Sequence, residues 1–105
     1  MDIMARRYDK HNYNCFHFAI DVWKLETGED ISFLLTGGRQ RFQRVKRAVG
    51  IALALMHRPR LVSHIGVFVN GRILHLPEHG SPKREHPDIA MLGYKQIRYY
   101  KRKLD

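Results

Sequence analysis

Apolar residues recur at helical spacing shortly after the N-terminus, where a polar and irregular segment of residues 1–13 ends. The positions that would share one helical face are Phe16, Ala19, Ile20 and Trp23. Asn14 immediately precedes this stretch, and asparagine is a favoured N-cap residue. Gly28 follows it, and glycine commonly ends a helix. The pattern predicts a helix over about residues 15–26.

A second amphipathic helix is predicted after the break at Gly37-Gly38. Its apolar stripe consists of Phe42, Val45, Val49, Ala52 and Met56. Basic residues occupy mostly the other faces of this predicted helix: Arg39, Arg41, Arg44, Lys46 and Arg47. Because the residue before a proline is pushed out of the helical region, the helix is expected to end before Pro59.

From Leu61 the apolar period changes from that of a helix to that of a strand. Two β-branched runs, LVSHIGVFV and RILHL, flank Asn70-Gly71, which is a strong signal for a two-residue hairpin turn. Residues 77–93 are rich in proline and glycine and are predicted to form a loop, and YKQIRYY at 94–100 is predicted as a last strand. This order of elements predicts an α+β fold in which N-terminal helices pack on a small antiparallel sheet.

Composition narrows the class of protein. With 105 residues the chain forms a single domain, 1–105, which is too small for an eight-stranded barrel or a full dinucleotide-binding fold, and no cofactor is predicted. Hydrophobic residues make up 44% of the chain, which excludes a disordered protein. The net charge of +9 predicts attraction to a polyanion: nucleic acid, an anionic cell-wall polymer or an acidic protein.

Targeting and membrane signals are not found in the sequence. The N-terminal residues have no apolar core of the kind that a secretory signal peptide needs. The longest uncharged apolar run, Ala48 to Met56, is too short to cross a bilayer. We therefore expect no signal peptide and no membrane span.

The single cysteine, Cys15, follows the predicted N-cap directly. The amide groups and the positive dipole end of a first helical turn favour a thiolate, so the position predicts a lowered thiol pKa. Such a thiolate is a good nucleophile when an imidazole lies beside it. The alternative is that Cys15 is an inert buried residue, as lone cysteines in small domains usually are.

The hairpin places two histidines together. A two-residue turn at Asn70-Gly71 pairs Val69 with Arg72, Gly66 with His75, and His64 with Pro77. Because side chains alternate between the two faces of a hairpin, one face then holds His64, Gly66, Phe68, Ile73, His75 and Pro77. The other face holds Ile65, Val67, Val69, Leu74 and Leu76. His64 and His75 are thus diagonal neighbours within reach of each other, which suits a general base and the group that orients it. The alternative is a pair of polar residues on a solvated face.

Metal binding is not predicted. One cysteine cannot form a disulfide within the chain or a cysteine-rich zinc site. His75 and His79 enclose Pro77 and so share no helical face, and the cluster of His11, Cys15 and His17 lacks a fourth ligand.

The motifs N-C-F-H-F at a helix start and S-H-I-G-V-F-V-N-G-R-I-L-H on a hairpin resemble the NlpC family of papain-like cysteine peptidases. They cover about residues 12–28 and 61–78. The resemblance implies a papain-like fold with Cys15 as the nucleophile, His64 as the general base and His75 as the residue that orients His64. The third position stays open between His75, His79 and an asparagine.

The same resemblance suggests an upstream tyrosine near the oxyanion, for which Tyr8 and Tyr13 are candidates. Asn14 and His17, which flank Cys15, are further candidates for the substrate site. The NC-x-HF box also resembles the lecithin retinol acyltransferase family, in which the histidine precedes the cysteine. Here the cysteine comes first, as in NlpC proteins.

NlpC resemblance implies hydrolysis of amide bonds in peptidoglycan stem peptides. The small size and the missing signal peptide fit a component of a phage tail, located in the virion or in the bacterial cytoplasm before assembly, and the +9 charge would hold it near the anionic wall polymer. The alternative is an inactive structural module that docks other tail-tip proteins through the basic helix and the tail residues Lys101, Arg102 and Lys103. Nucleic-acid binding through these basic clusters is a weaker alternative, because Tyr99 and Tyr100 are the only aromatic residues that adjoin the basic tail and no base-reading motif is present.

Overall fold

The chain folds around one antiparallel sheet of six strands in the order β1-β6-β2-β3-β4-β5. The computed structural model describes residues 2–59, 61–78 and 80–103, with the backbone alone at 61–63. The strands are β1 (Phe42–Val45), β2 (Ala52–Arg58), β3 (Leu61–Val69), β4 (Arg72–His75), β5 (Lys83–Glu85) and β6 (Gln96–Arg102). The helices are α1 (Cys15–Thr27) and the short α2 (Pro87–Ala90), with 3₁₀ turns at Ile3–Ala5, Ser32–Thr36, Gly38–Arg41 and Met91–Gly93. The predicted α+β class is confirmed.

Helix α1 begins and ends where the sequence predicts. The side chain of Asn14 accepts hydrogen bonds from the backbone N–H groups of Phe16 and His17, and the His17 ring accepts one from the Asn14 N–H in return. This reciprocal capping satisfies donors that the first turn leaves unpaired. Gly28 ends the helix in the left-handed conformation, with φ of 79°. The cysteine is therefore fixed as the first residue of a well-capped helix.

The prediction of a second helix over residues 39–56 is wrong. The segment forms the 3₁₀ turn Gly38–Arg41, the strand β1, an irregular link at 46–51 and the strand β2. Strand β2 lies between β6 and β3 and is covered on both faces, with Leu53 on one side and Ala54 and Met56 on the other. A strand buried on both faces has a continuous apolar sequence, which also satisfies a helical stripe.

The hairpin has the predicted register. Val69 pairs with Arg72 and Gly66 with His75 across the turn at Asn70-Gly71, where both residues have positive φ. Strand β4 ends at His75, so the expected pair of His64 with Pro77 lies beyond the ladder. The turn type fixes the register, and the register places the two histidines on one face.

Each face of the sheet has its own core. Helix α1 packs through Phe18, Val22 and Trp23 on the face that carries Ile65 and Leu74. The opposite face carries Met56 and Ile73, and it packs against Ala90 of α2 and the ring of Tyr94. The predicted loop of residues 77–93 is thus partly wrong, because it contains β5 and α2. Within the described residues, no helix is long and apolar enough to cross a membrane.

Candidate active site

Three side chains form a hydrogen-bonded chain on the face of the sheet opposite α1. His64 Nε2 lies 2.8 Å from His75 Nδ1, and His75 Nε2 lies 2.7 Å from Glu85 Oε1. Strands β3, β4 and β5 are adjacent, so each contributes one member. Both histidines are buried, with 6% and 5% of their surface exposed. They do not lie on a solvated face.

Glu85 determines which nitrogens of the two rings carry protons. An ionised carboxylate only accepts hydrogen bonds, so Nε2 of His75 must donate to it and Nδ1 of a neutral His75 must accept. Nε2 of His64 therefore donates to His75, and Nδ1 of a neutral His64 keeps its lone pair. The chain prepares His64 Nδ1 as the basic atom.

Burial keeps both imidazoles neutral. Desolvation, followed by the charges of His75 and Arg58, lowers the pKa of His64 from 6.5 to about 4. Desolvation also lowers the pKa of His75, although Glu85 acts in the opposite direction. The ring of His64 stacks on the ring of Tyr94 with centroids 5.9 Å apart. The guanidinium of Arg58 lies over the same Tyr94 ring, 5.3 Å from its centroid. His64 is therefore an unprotonated base at neutral pH.

Cys15 is half-buried at the start of α1. Its sulfur accepts hydrogen bonds from the backbone N–H groups of Ile65, Phe16 and Cys15 itself, and these bonds favour the thiolate. Desolvation outweighs them, and the pKa of the Cys15 thiol is raised above its ordinary value. The expected lowered pKa is wrong, because the helix N-terminus that attracts the negative charge is itself packed into the protein.

The Cys15 thiol and His64 belong to neighbouring backbone positions, because the N–H of Ile65, the residue after His64, contacts the sulfur. Cys15 contacts the N–H of Ile65, whose side chain packs on the α1 face, whereas the His64 ring faces Tyr94. Within the part of the chain that the structure describes, no hydrogen bond joins the thiol to the imidazole. The two groups share one neighbour, since a charge on Cys15 raises the pKa of Tyr94.

The four candidates for the substrate site have different surroundings. Tyr8 packs against the same core cluster as Cys15, and its pKa is raised by burial and by the charges of Glu78 and Cys15, which places it near the thiol. Tyr13 donates its hydroxyl hydrogen to Asp21 and stacks on the ring of His17, with centroids 6.0 Å apart. Asn14 and His17 bind each other as the N-terminal cap of α1. Of these residues, Tyr8 is the one that the fold brings to the thiol.

The five basic residues of the predicted helix are distributed over different elements. Arg39 and Arg41 lie in a 3₁₀ turn, Arg44 lies on β1, and Lys46 and Arg47 belong to the bend that follows β1. They therefore do not lie together on the one amphipathic helix that the sequence predicts. Arg102 of the basic tail is paired with Glu29 at 2.9 Å.

Sequence reasoning missed Glu85 and Tyr94. Both lie in or next to the segment predicted as a loop, so no periodicity connected them with the histidines. The sequence signal that could have indicated Glu85 is the short run Lys83–Glu85 after Pro82, which adds one strand beside β4 of the hairpin. His79 lies outside the described residues. Among residues 2–59, 61–78 and 80–103, no group of three or more histidine, cysteine or acidic side chains could hold a metal ion.

Comparison of the chain with protein-family models, curated proteins and solved structures finds no match. The likeness to NlpC peptidases therefore rests on the motif residues described above.

Proposed function

We propose that this protein is a cysteine-dependent hydrolase of NlpC type that cleaves amide bonds in peptidoglycan stem peptides. The observation that carries the proposal is the hydrogen-bonded chain His64–His75–Glu85, which begins one residue from the backbone N–H that contacts the Cys15 thiol. A neutral base that is oriented by a second histidine and a carboxylate is the arrangement that activates a nucleophile. The substrate class follows from the NlpC resemblance, as does a location in a phage tail.

The protonation states favour attack that is assisted by a general base. At neutral pH the Cys15 thiol is protonated and His64 is neutral, so Nδ1 of His64 takes the thiol proton as the sulfur attacks the carbonyl carbon. The Cys15 N–H and the Tyr8 hydroxyl are the candidate donors to the oxyanion. Collapse breaks the amide bond, and the amine leaves with the proton from His64. Water, deprotonated by the same nitrogen, then hydrolyses the thioester.

The test is hydrolysis of purified peptidoglycan, and its rate is measured by the release of new amino groups. We expect the wild-type protein to be active and Cys15→Ala and His64→Ala to lose about a hundredfold or more in rate. His11→Ala is the matched control, because His11 is exposed and has no part in the proposed mechanism. Activity that survives Cys15→Ala would exclude the cysteine mechanism.

A second candidate is a structural module without activity, and one observation favours it. The His64 ring is stacked on Tyr94, on the face of the sheet that α1 does not cover. The reagent 1,3-dibromoacetone separates the two candidates, because it links a thiol to an imidazole only when both can reach its short bridge. A Cys15–His64 crosslink that is lost in His64→Ala supports the hydrolase. Alkylation of Cys15 without crosslinking supports the structural module.

A further inference from the structure

A cavity of about 260 Å³ opens on the α1 face of the sheet, next to Phe16, the residue that follows Cys15. Phe16, Leu53, Leu55, Ile65 and Tyr100 supply most of its apolar wall. An apolar cavity of about 150 Å³ already accommodates benzene. This cavity can therefore hold an aromatic ring or a short aliphatic chain.

Cationic and polar groups line the same cavity: Arg39, Arg98 and His57. Arg98 donates from Nε to the neutral amide of Gln96 at 3.2 Å. In the described part of the chain, neither Arg39 nor Arg98 is paired with an acidic side chain. Two arginines beside an apolar wall are suited to a ligand with an acidic end.

His57, which also lines this cavity, has a ring nitrogen without a hydrogen-bond partner among the described residues. This nitrogen, Nε2, is enclosed by protein. A buried polar atom without a partner is unfavourable and is uncommon in folded proteins. Burial and the charges of Arg98 and Arg44 lower the pKa of His57, which shows that this end of the cavity is electropositive.

The strand register gives the distance between the thiol and this electropositive end. Ile65 pairs with Leu55 on β2, and Leu55 pairs with Arg98 on β6. Adjacent strands are about 4.8 Å apart, so the backbone of Arg98 lies on the order of 10 Å from that of Ile65. The N–H of Ile65 contacts the Cys15 sulfur. The cavity thus extends from Ile65, whose N–H contacts the thiol, over Leu55 to the arginines.

We infer that this cavity binds a small apolar carboxylate, with the apolar body over Leu55 and the carboxylate at Arg98 and Arg39. The identification of this apolar carboxylate as the acyl part of the substrate that Cys15 attacks rests on the proposed function. The binding itself does not. A substrate held in this way presents its scissile carbonyl to the thiol and a free carboxylate at the opposite end of an apolar segment.

Isothermal titration calorimetry with three probes tests the inference on the full chain. The probes are 3-phenylpropionate, its neutral analogue 3-phenyl-1-propanol, and acetate, which lacks the apolar body. We expect 3-phenylpropionate to bind about tenfold or more tightly than either of the others. Equal binding of 3-phenylpropionate and 3-phenyl-1-propanol would overturn the inference, as would no binding of 3-phenylpropionate.

Matched variants locate the site. Arg98→Gln and Arg39→Gln should each weaken 3-phenylpropionate binding by about tenfold, and the exposed Arg72→Gln at the hairpin turn should not change it. If both cavity variants bind as the wild type does, the carboxylate is not held there and the inference is wrong. Cys15→Ala should keep full affinity. Probe binding without peptidoglycan hydrolysis contradicts the proposed function alone, and hydrolysis without probe binding contradicts this inference alone.

Discussion

At the scale of single residues, the candidate site depends on one carboxylate. Glu85 is the group that orders the protons along His75 and His64, because both imidazoles are neutral and could otherwise adopt either tautomer. The pair His64–His75 alone leaves the basic nitrogen of His64 undefined. Together with Glu85 it directs the lone pair to Nδ1.

Glu85→Gln should therefore lower activity without removing the fold. The amide can donate to Nε2 of His75, which would reverse the tautomers along the chain and place a proton on Nδ1 of His64. We expect the rate of peptidoglycan hydrolysis to fall by about ten- to a hundredfold, with thermal stability nearly unchanged. Glu26→Gln, at an exposed position of α1, is the control. A fully active Glu85→Gln protein would mean that Glu85 has no part in positioning His64.

The raised pKa of the thiol has a direct chemical consequence for Cys15. Alkylation requires the thiolate, so the rate of reaction with iodoacetamide should rise with pH through a midpoint above that of an ordinary thiol, because burial raises the pKa of Cys15. His64→Ala should leave this midpoint unchanged, since no hydrogen bond joins the two groups among the described residues. N-acetylcysteine provides the reference curve. A midpoint below that of N-acetylcysteine would show that a cation pairs with the thiolate in solution.

At the scale of secondary-structure elements, the sequence is most informative where local chemistry determines geometry. Asn14 and Gly28 fix the ends of α1, and Asn70-Gly71 fixes the hairpin register, so both elements could be predicted. Residues 39–56 could not, because β2 is buried on both faces and its apolar run matches a helical stripe as well as a strand. Glu85 joins the site through a three-residue strand that only tertiary pairing reveals.

Gly66 permits the close approach of β3 to β4 at His75, because glycine has no Cβ. A Cβ at this position would lie 2.8 Å from the backbone oxygen of Leu74 and 3.0 Å from Cβ of His75. Gly66→Ala should therefore destabilise the protein by about 1–3 kcal/mol and disturb the His64–His75 hydrogen bond. Chemical denaturation measures the first effect, and the loss of peptidoglycan hydrolysis reports the second.

Gly93→Ala is the matched control for this substitution. Nothing lies within 4 Å of a Cβ at Gly93, which does not have a positive φ, so this variant should be as stable as the wild type. If Gly66→Ala is also as stable, the close approach of β3 and β4 at His75 does not constrain the hairpin.

At the scale of the whole molecule, the sheet separates two cores of different character. Among the described residues, the buried core of the α1 face is apolar, whereas the opposite face encloses His64 and His75 together with Met56 and Ile73. Folding thus removes two titratable rings from water, and burial disfavours their charged forms. Unfolding returns both rings to water, where they bind protons more readily, so global stability must depend on pH.

The sign of that dependence follows from the lowered pKa values. Between pH 6.5 and about 4 the unfolded chain binds a proton at His64 that the folded chain does not, so stability falls as the pH falls through this window. For His64 alone, the loss between pH 7.5 and pH 5.0 should be about 2 kcal/mol, and the lowered pKa of His75 adds to it in the same direction. Urea denaturation at the two pH values measures the difference. His64→Gln should show a smaller loss on acidification than the wild type, whereas His11→Gln, altered at an exposed position, should show the same loss. Equal stability of the wild-type protein at both pH values would mean that folding does not lower the pKa of either histidine, and that burial does not keep His64 neutral at pH 5.0.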